Sequence, residues 1–236
     1  MPKHYQKLTD LFPFSDYRII AIIGGGGKTS LLFALGEELS AKSPVILSTT
    51  THMHYPSHLD AKQIVLEDDP DQVKLVLSSY PLCYVAAPYQ HNKLQRPSDQ
   101  MLQIVGEMRI PVLYEADGSR SLPVKCMGEQ EPAVPSTCSL VIQMIGASCL
   151  HQTILKVVHR YELACERWHW ESGELVTIQH LITLASYNFS KTAAPHKLLI
   201  INQCDTGITN TECQEIRSAF PNIPVLFVSL KNKQVY

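Results

Sequence analysis

Four consecutive glycines are followed directly by a lysine, a threonine and a serine, and residue types in this order can hold a phosphate chain. These residues are Gly24, Gly25, Gly26, Gly27, Lys28, Thr29 and Ser30. Glycines without a Cβ let the main chain wrap closely around an anion, and the N–H groups at the start of the following helix attract phosphate. In such a loop Lys28 reaches the β- and γ-phosphates of a nucleoside triphosphate, and the Thr29 hydroxyl joins the ligands of Mg²⁺.

The glycine run predicts a phosphate-binding loop, but it departs from the full pattern. The pattern G-x-x-x-x-G-K-[ST] would place a glycine at position 22, where this chain has Ile22. The alternative interpretation is a tight glycine turn followed by an incidental lysine. An apolar run before the glycines and a leucine-striped segment after them favour the phosphate loop over that alternative.

The segment "PVLYEADGSR" places carboxylates after another apolar run. In an open α/β sheet, ligands bind at the carboxyl ends of the strands, so Glu115 and Asp117 are expected beside the phosphate loop. In nucleotide hydrolases such a carboxylate holds Mg²⁺ or its water, and a following glycine, here Gly118, senses the γ-phosphate. We therefore predict Thr29, Glu115 and Asp117 as metal ligands and Lys28, Glu115 and Asp117 as catalytic. The alternative is an ordinary Asp-Gly turn after a strand.

The segment "LSTTTHMHYP" ends a further strand with three threonines and two histidines. A threonine hydroxyl at this position could reach the γ-phosphate, Mg²⁺ or an attacking water, and we predict Thr51 for this role. Threonine is also simply a good strand former. His52, His54 and His58 are compatible with a transition-metal site, but the pattern supplies no clear fourth ligand.

Near the carboxyl terminus, "KLLIINQCD" resembles the N-K-x-D element with which GTPases read guanine. Asp205 would accept from the ring N–H and the exocyclic amine of the base, while Asn202 braces neighbouring loops. Gln203 replaces the usual lysine. Ser229 and the Leu230 amide follow the next strand, where such proteins contact the guanine carbonyl. The element favours GTP over ATP, and the alternative is a turn after a core strand.

Apolar runs and helical stripes alternate along the chain. Strands are predicted over residues 18–23, 45–49, 63–66, 83–87, 111–115, 140–145, 197–202 and 224–229. Helices are predicted over residues 28–41, 70–79, 98–108, 178–185 and 209–219. This alternation predicts an α/β fold, a three-layer P-loop NTPase-like domain with a mostly parallel central sheet. We expect one domain over residues 1–236, with a helical insertion at about residues 149–190.

The composition indicates a cytoplasmic protein without a nucleic-acid or membrane partner. The 236 residues are 45% hydrophobic, and the formal net charge is only -2. The seven cysteines are widely spaced, as in reduced, buried thiols. The first sixteen residues contain no apolar core typical of a secretory signal.

Several segments together resemble the YqeC family, which is described as accessory proteins of selenium-dependent molybdenum hydroxylases. In chain order they are "GGGGKTSLLFALG", "LSTTTHM", "EADGSRSLPVK", "EPAVP", "VVHRYEL" and "INQCD". This chain departs from the family pattern at Gln203, where a lysine is usual, and at Gln130, where a histidine often precedes Glu-Pro. The resemblance implies a P-loop nucleotide protein that helps a molybdenum enzyme to mature.

The sequence thus predicts a protein that binds and hydrolyses GTP or ATP with Mg²⁺ and acts on a molybdenum hydroxylase or a cofactor-biosynthesis client. A homodimer is compatible with this prediction. Arg120, Lys125, His159 and Arg160 are candidates for contacting a second anion or the partner, or else form local salt bridges. Two other functions remain open: a small-molecule kinase or ligase-like enzyme with Asp117 as the base, and a nucleotide-binding scaffold that does not hydrolyse.

Overall fold

The computed structural model describes residues 2–90 and 92–236, and these residues form an α/β structure. Its strands are β1 (Lys3–His4), β2 (Ile19–Gly24), β3 (Val45–Thr49), β4 (Met53–His54), β5 (Ile64–Val65), β6 (Leu82–Val85), β7 (Ala87–Pro88), β8 (Lys93–Gln95), β9 (Val112–Glu115), β10 (Val124–Lys125), β11 (Leu140–Gly146), β12 (Val158–His159), β13 (His196–Asn202), β14 (Val225–Ser229) and β15 (Gln234–Val235). Its helices are α1 (Lys28–Ser40), α2 (Pro70–Ser79), α3 (Asp99–Glu107), α4 (Ile154–Val157), α5 (Tyr161–Trp168), α6 (Ile178–Ser190) and α7 (Asn210–Ala219).

A large, mostly parallel sheet forms the centre of the molecule. Its order is β1-β15-β14-β13-β11-β2-β9-β3-β6-β5. Neighbours from β14 through to β5 pair in parallel, whereas β15 pairs antiparallel with both β14 and β1. Two small sheets, β10-β12 and β4-β8-β7, lie outside it. The predicted mixed α/β fold with a mostly parallel central sheet is confirmed.

The central strands are apolar throughout because helices or chain segments cover both of their faces. Along β2, Ile19, Ala21 and Ile23 pack into a core with α3, α6 and α7, while Ile20 and Ile22 pack into a second core with α1. Strands buried on both faces lose the polar alternation of a half-exposed sheet. The arrangement is compatible with three layers.

The predicted main strands and helices are confirmed, with differences at their ends. The helix α6 continues to Ser190, five residues beyond the predicted end, and it lies with α4 and α5 within the region predicted as a helical insertion. The strand predicted over residues 83–87 stops at Val85, and Ala87–Pro88 instead pairs with Lys93–Gln95. In the described residues no helix is long and apolar enough to cross a membrane.

The register of the parallel strands brings their carboxyl ends to one edge. Glu115 of β9 lies opposite Ile22 of β2 and Thr49 of β3. On the other side of β2, Met144 of β11 lies opposite Gly24, and Gly146 lies opposite Asn202 of β13. The polar residues that follow these strands are thereby gathered around residues 24–27.

Candidate functional site

Residues 24–27, here called the glycine loop, connect β2 to α1 in a conformation that requires glycine. Gly24, Gly26 and Gly27 have φ values of +93°, +75° and +119°, which side chains with a Cβ rarely adopt. A Cβ at Gly25 would lie 2.5 Å from the carbonyl oxygen of Leu122, and one at Gly27 would lie 2.6 Å from Asn202 Nδ2. Both conformation and close contacts therefore fix the loop's sequence.

The first N–H groups of the glycine loop point into the protein. Gly24 N–H donates to Asp117 Oδ2 at 2.8 Å, Gly25 N–H to the Met144 carbonyl at 3.0 Å, and Gly26 N–H to the Leu122 carbonyl at 3.2 Å. By contrast, within the described chain the N–H groups of residues 27–30 donate to no protein acceptor. The donors available to an anion are therefore those at the start of α1.

The Lys28 ammonium lies beneath the glycine loop among oxygen atoms. Its Nζ donates to the Gly24 carbonyl at 2.6 Å and to Ser119 Oγ at 3.2 Å. It also pairs with Asp117 Oδ1 at 3.0 Å and lies 3.9 Å from Glu115 Oε1. The side chain is nearly fully buried, so these contacts replace the water that the ammonium would otherwise bind.

Thr29 and Glu115 join the helix start to the end of β9. The Thr29 hydroxyl donates to Glu115 Oε2 at 2.7 Å. Burial raises the pKa of Glu115, and the Asp117 charge adds to this, whereas Lys28 and the Thr29 hydroxyl lower it. The pair presents oxygen donors, the type that Mg²⁺ prefers. In the described residues no group of three or more His, Cys, Asp or Glu side chains could hold a metal by itself.

Asp117 is held between two buried lysines. Besides the Lys28 contact, its Oδ2 lies 3.6 Å from Lys125 Nζ. Lys125, which is fully buried, also donates to the Gly118 carbonyl at 2.6 Å and to Glu131 Oε1 at 2.9 Å. Glu131 in turn accepts from Arg160 Nη2 at 3.0 Å. A continuous chain of charged contacts therefore runs from the glycine loop to the start of α5.

The other two candidates, His159 and Arg120, lie close to this chain of charged contacts. Lys125 and His159 are paired residues of β10 and β12. Burial lowers the pKa of His159, and the nearby Lys125, Arg160 and Arg120 charges lower it further. These effects favour the neutral form of the His159 imidazole.

Gly118 and Thr51 meet at the same edge of the sheet. A Cβ on Gly118 would lie 3.4 Å from Thr51 Oγ1, so the predicted threonine faces the turn after β9. Two of the histidines make aromatic contacts: His52 lies against Tyr89 in a tilted arrangement at 4.1 Å between ring centroids, and His58 meets Phe33 edge-on at 4.3 Å.

Asn202 braces two loops, as its position in the sequence predicts. Its Nδ2 donates to the Gly26 carbonyl at 2.8 Å, and its Oδ1 accepts from Leu230 N–H at 3.0 Å. The Leu230 amide is thus already bonded within the protein. Gln203 has a φ of +62°, and its amide oxygen accepts from Ser148 Oγ at 2.5 Å.

The other two residues predicted to read the base differ in exposure. Asp205 lies exposed in the turn after β13. Ser229 is fully buried at the end of β14, where its hydroxyl oxygen accepts from Asn232 N–H at 3.2 Å. Asp205 is accordingly free to meet a ligand, whereas Ser229 stabilises a turn. The roles assigned to both residues remain predictions.

Ser119 is a residue of the site that was not predicted from the sequence. Its hydroxyl accepts from Lys28 at 3.2 Å, and its side chain is buried. The sequence feature that could have predicted it is its position two residues after Asp117, in the same turn after β9. For Lys125 the sequence left open a contact with a second anion or partner and a local salt bridge, and the structure shows buried salt bridges to Asp117 and Glu131.

Two comparisons with known proteins agree. The family model described as "YqeC protein" matches residues 20–162. A protein of Escherichia coli (strain K12), described as "Uncharacterized protein YqeC", is 34% identical over 152 residues. The alignment covers 61% of this chain and 57% of that relative's length. The family match contains the glycine loop, the Glu115–Gly118 segment and Lys125, whereas Asn202, Asp205 and Ser229 lie beyond it.

Proposed function

Because the chain belongs to the YqeC family, with its glycine loop and two strand-end carboxylates inside the matched region, we propose that it binds a nucleoside triphosphate with Mg²⁺ and hydrolyses it. GTP is the favoured nucleotide over ATP. We further propose that this cycle serves the maturation of a selenium-dependent molybdenum hydroxylase, the role that the family resemblance implies. The observation that carries the proposal is the position of the Lys28 ammonium at the glycine loop.

The argument for phosphate binding starts from the contacts of Lys28. Its ammonium is held by the Gly24 carbonyl, Ser119 and Asp117, and the first two are neutral acceptors that a negatively charged phosphate could replace. The adjacent N–H groups at residues 27–30 have no acceptor within the described chain. A phosphate over the start of α1 would satisfy those donors and attract the ammonium towards itself.

The oxygen atoms of Thr29 and Glu115 fit Mg²⁺. They lie 2.7 Å apart at the end of β9, and Mg²⁺ in nucleotide sites takes one or two protein oxygens together with phosphates and water. Thr29 and Glu115 would hold the ion, with Asp117 close to its water ligands. When bound, Mg²⁺ would neutralise charge on the phosphates.

Asp117 is the residue proposed to act on the attacking water. Asp117 Oδ1 pairs with Lys28, yet no donor in the described chain makes an aligned hydrogen bond to it. Once Lys28 turns to the phosphates, this oxygen can accept a proton from water. The water oxygen then forms a bond to the γ-phosphorus, the bond to the bridging oxygen breaks, and phosphate and nucleoside diphosphate leave. Thr51, whose hydroxyl lies beside Gly118, would orient this water.

Selectivity for guanine rests on Asp205. Its carboxylate is exposed three residues after Asn202, which donates to the Gly26 carbonyl of the glycine loop. A carboxylate can accept two hydrogen bonds from guanine, whereas adenine offers an amine beside a ring acceptor. The Leu230 amide can contribute only if Asn202 releases it.

The decisive experiment is calorimetric titration of GTP and ATP, each with Mg²⁺ and with EDTA, into the wild type and Lys28→Ala. Lys42→Ala is the matched control, since Lys42 is exposed just beyond α1. We expect Mg²⁺-dependent binding of GTP that Lys28→Ala abolishes and Lys42→Ala leaves unchanged. Binding of ATP alone would remove the guanine assignment, and no binding of either nucleotide would overturn the proposal.

Hydrolysis is tested separately by phosphate release. Slow turnover without a client, lost in Asp117→Asn, is the expected result. Tight binding with no phosphate release would instead indicate a scaffold. Nucleotide consumption that appears only when an acceptor molecule is added would identify a kinase or ligase-like enzyme.

A further inference from the structure

A sizeable cavity of the described structure is distinct from the glycine loop. It has a volume of about 960 Å³ and lies between α3 and the segment of residues 133–137. Arg18, at the amino end of β2, and Thr50, just beyond the carboxyl end of β3, both line it. With about 3.3 Å per strand residue, the five residues from Arg18 to the level of Thr50 span roughly 17 Å. The cavity is thus elongated along the strands.

One end of this cavity adjoins the strand end that carries the carboxylates. Thr50 N–H donates to the Glu115 carbonyl at 2.9 Å, and Ala133 N–H donates to the Ala116 carbonyl at 3.1 Å. The Thr50 hydroxyl is buried, and no partner for it exists in the described chain. A ligand that fills the cavity would therefore lie against Thr50 without reaching its hydroxyl, one peptide unit from the residues of the proposed nucleotide site.

The other end carries Arg18 and Arg109. There the Glu107 carboxylate accepts from the Gln103 amide at 3.0 Å, whereas Arg96 and Asp99 are paired with each other at the opposite end of α3. Arg18 donates to the Gly106 carbonyl. Neither Arg18 nor Arg109 forms an ion pair with a carboxylate in the described residues, so this end can accept an anionic group.

One wall of the cavity contains a glycine within a helix, at a position where no close contact requires a glycine. Gly106 lies in the last turn of α3, where its backbone conformation needs no glycine. Beyond its own helix, a Cβ there would meet Ile19 Cδ1 and Thr137 Oγ1 among the described residues, each at 4.0 Å. Glycine costs a helix interior about 1 kcal/mol relative to alanine. Its presence leaves open a space that larger side chains would fill.

We propose that this cavity is a binding site for an elongated, largely apolar small molecule with an anionic group. The apolar body lies against Leu102, Val134 and Pro135, the anionic group lies between Arg18 and Arg109, and the opposite end lies beside Thr50. The volume is at the upper end of the range for small-molecule sites, about 300 to 1,000 Å³. The proposal does not depend on nucleotide binding.

The test uses two fluorescent probes that differ by one charge. They are 8-anilinonaphthalene-1-sulfonate and N-phenyl-1-naphthylamine, which has the same aromatic body without the sulfonate. Both are titrated into the full chain without nucleotide. We expect saturable binding of one sulfonate probe per chain, weakened about tenfold or more by Gly106→Phe and changed less than about twofold by Gly106→Ala.

A second filling variant and a charge variant keep the test decisive. Thr137→Trp fills the cavity from the opposite wall at an exposed position, so it should weaken the probe even if Gly106→Phe folds poorly. Arg109→Gln should weaken the sulfonate probe about threefold to tenfold and leave the neutral probe within about twofold. Unchanged binding in a folded filling variant would overturn the site, and equal responses of both probes to Arg109→Gln would overturn the anionic group.

Discussion

Replacing Lys28 by methionine should separate the stability of the site from its ability to bind nucleotide. Methionine keeps much of the buried stem but removes the ammonium, which contacts Gly24, Ser119 and Asp117. Removing one partner of a buried ion pair costs about 3 to 5 kcal/mol. The lower end applies here, because Asp117 keeps the Gly24 N–H and lies 3.6 Å from Lys125.

A loss of about 3 kcal/mol corresponds to a fall of roughly 6 to 12 °C in the melting temperature for a chain of this size. The double variant Lys28→Met/Asp117→Asn also removes the Asp117 carboxylate, which has lost its nearest cation in the single variant. About half of the lost stability should therefore return. Nucleotide binding should not return, because a neutral side chain cannot pair with phosphates. Urea unfolding measures the first quantity and calorimetry the second.

The pH dependence of the single variant has a definite sign. Burial already raises the pKa of Glu115, and Lys28 opposes this rise. Without Lys28, the pKa of Glu115 in the folded state rises further above its value of about 4.3 in the unfolded state. The folded state then holds the proton of Glu115 more tightly, so the contribution of Glu115 to stability is greatest below about pH 4.3 and is lost as the pH rises through the folded-state pKa. The destabilisation by Lys28→Met should therefore be larger at pH 8 than at pH 5. A variant as stable as the wild type at both pH values, or one that still binds nucleotide, would refute the reasoning.

Three further predictions concern the loop, the charged contacts and the base. Gly27→Ala, at a φ of +119° and with its Cβ against Asn202, should destabilise the protein by about 1 to 3 kcal/mol in urea unfolding. Gly173→Ala, whose added Cβ would lie more than 4 Å from every described residue except its chain neighbours, should change stability by less than about 0.5 kcal/mol. Burial would raise the pKa of Glu131, but hydrogen bonds from Gly128 and Lys125 bring it below its usual value, so stability should fall as the pH drops below about 4.3. Glu131→Gln should reduce this loss of stability at acidic pH. An unchanged loss would contradict the assignment of the pH dependence to Glu131. Asp205→Asn should weaken GTP by about tenfold or more with little effect on ATP in competition calorimetry, whereas equal weakening of both would exclude base recognition.

The main elements could be predicted because their signals are local. Each central strand is a continuous apolar run ended by polar or glycine residues, and α1 shows its leucine stripe directly. The family assignment from the quoted segments is confirmed as well. The two-residue strands β10 and β12 could not be predicted, since neither has a periodicity of its own and their pairing is created by the fold.

The candidate site was only partly predictable for a related reason. The strand ends identified Lys28, Thr29, Glu115 and Asp117, because parallel strands bring their carboxyl ends to one edge. The contact of Lys125 with Asp117 depends instead on the turn after Ser119 and on the β10–β12 pairing. The inward direction of the first loop N–H groups also has no sequence signal, since it is set by the carbonyls of Met144 and Leu122.

The sheet order has a consequence for self-association. Both outermost strands, β1 and β5, are only two residues long. Exposed strand edges are templates on which another chain can add hydrogen bonds, and very short edge strands limit this hazard. Adding a strand from a second copy would gain few ladder bonds at either edge. Fibre-like or edge-to-edge growth is therefore disfavoured by the architecture, and any stable pairing of two copies should use side-chain surfaces rather than extension of the sheet.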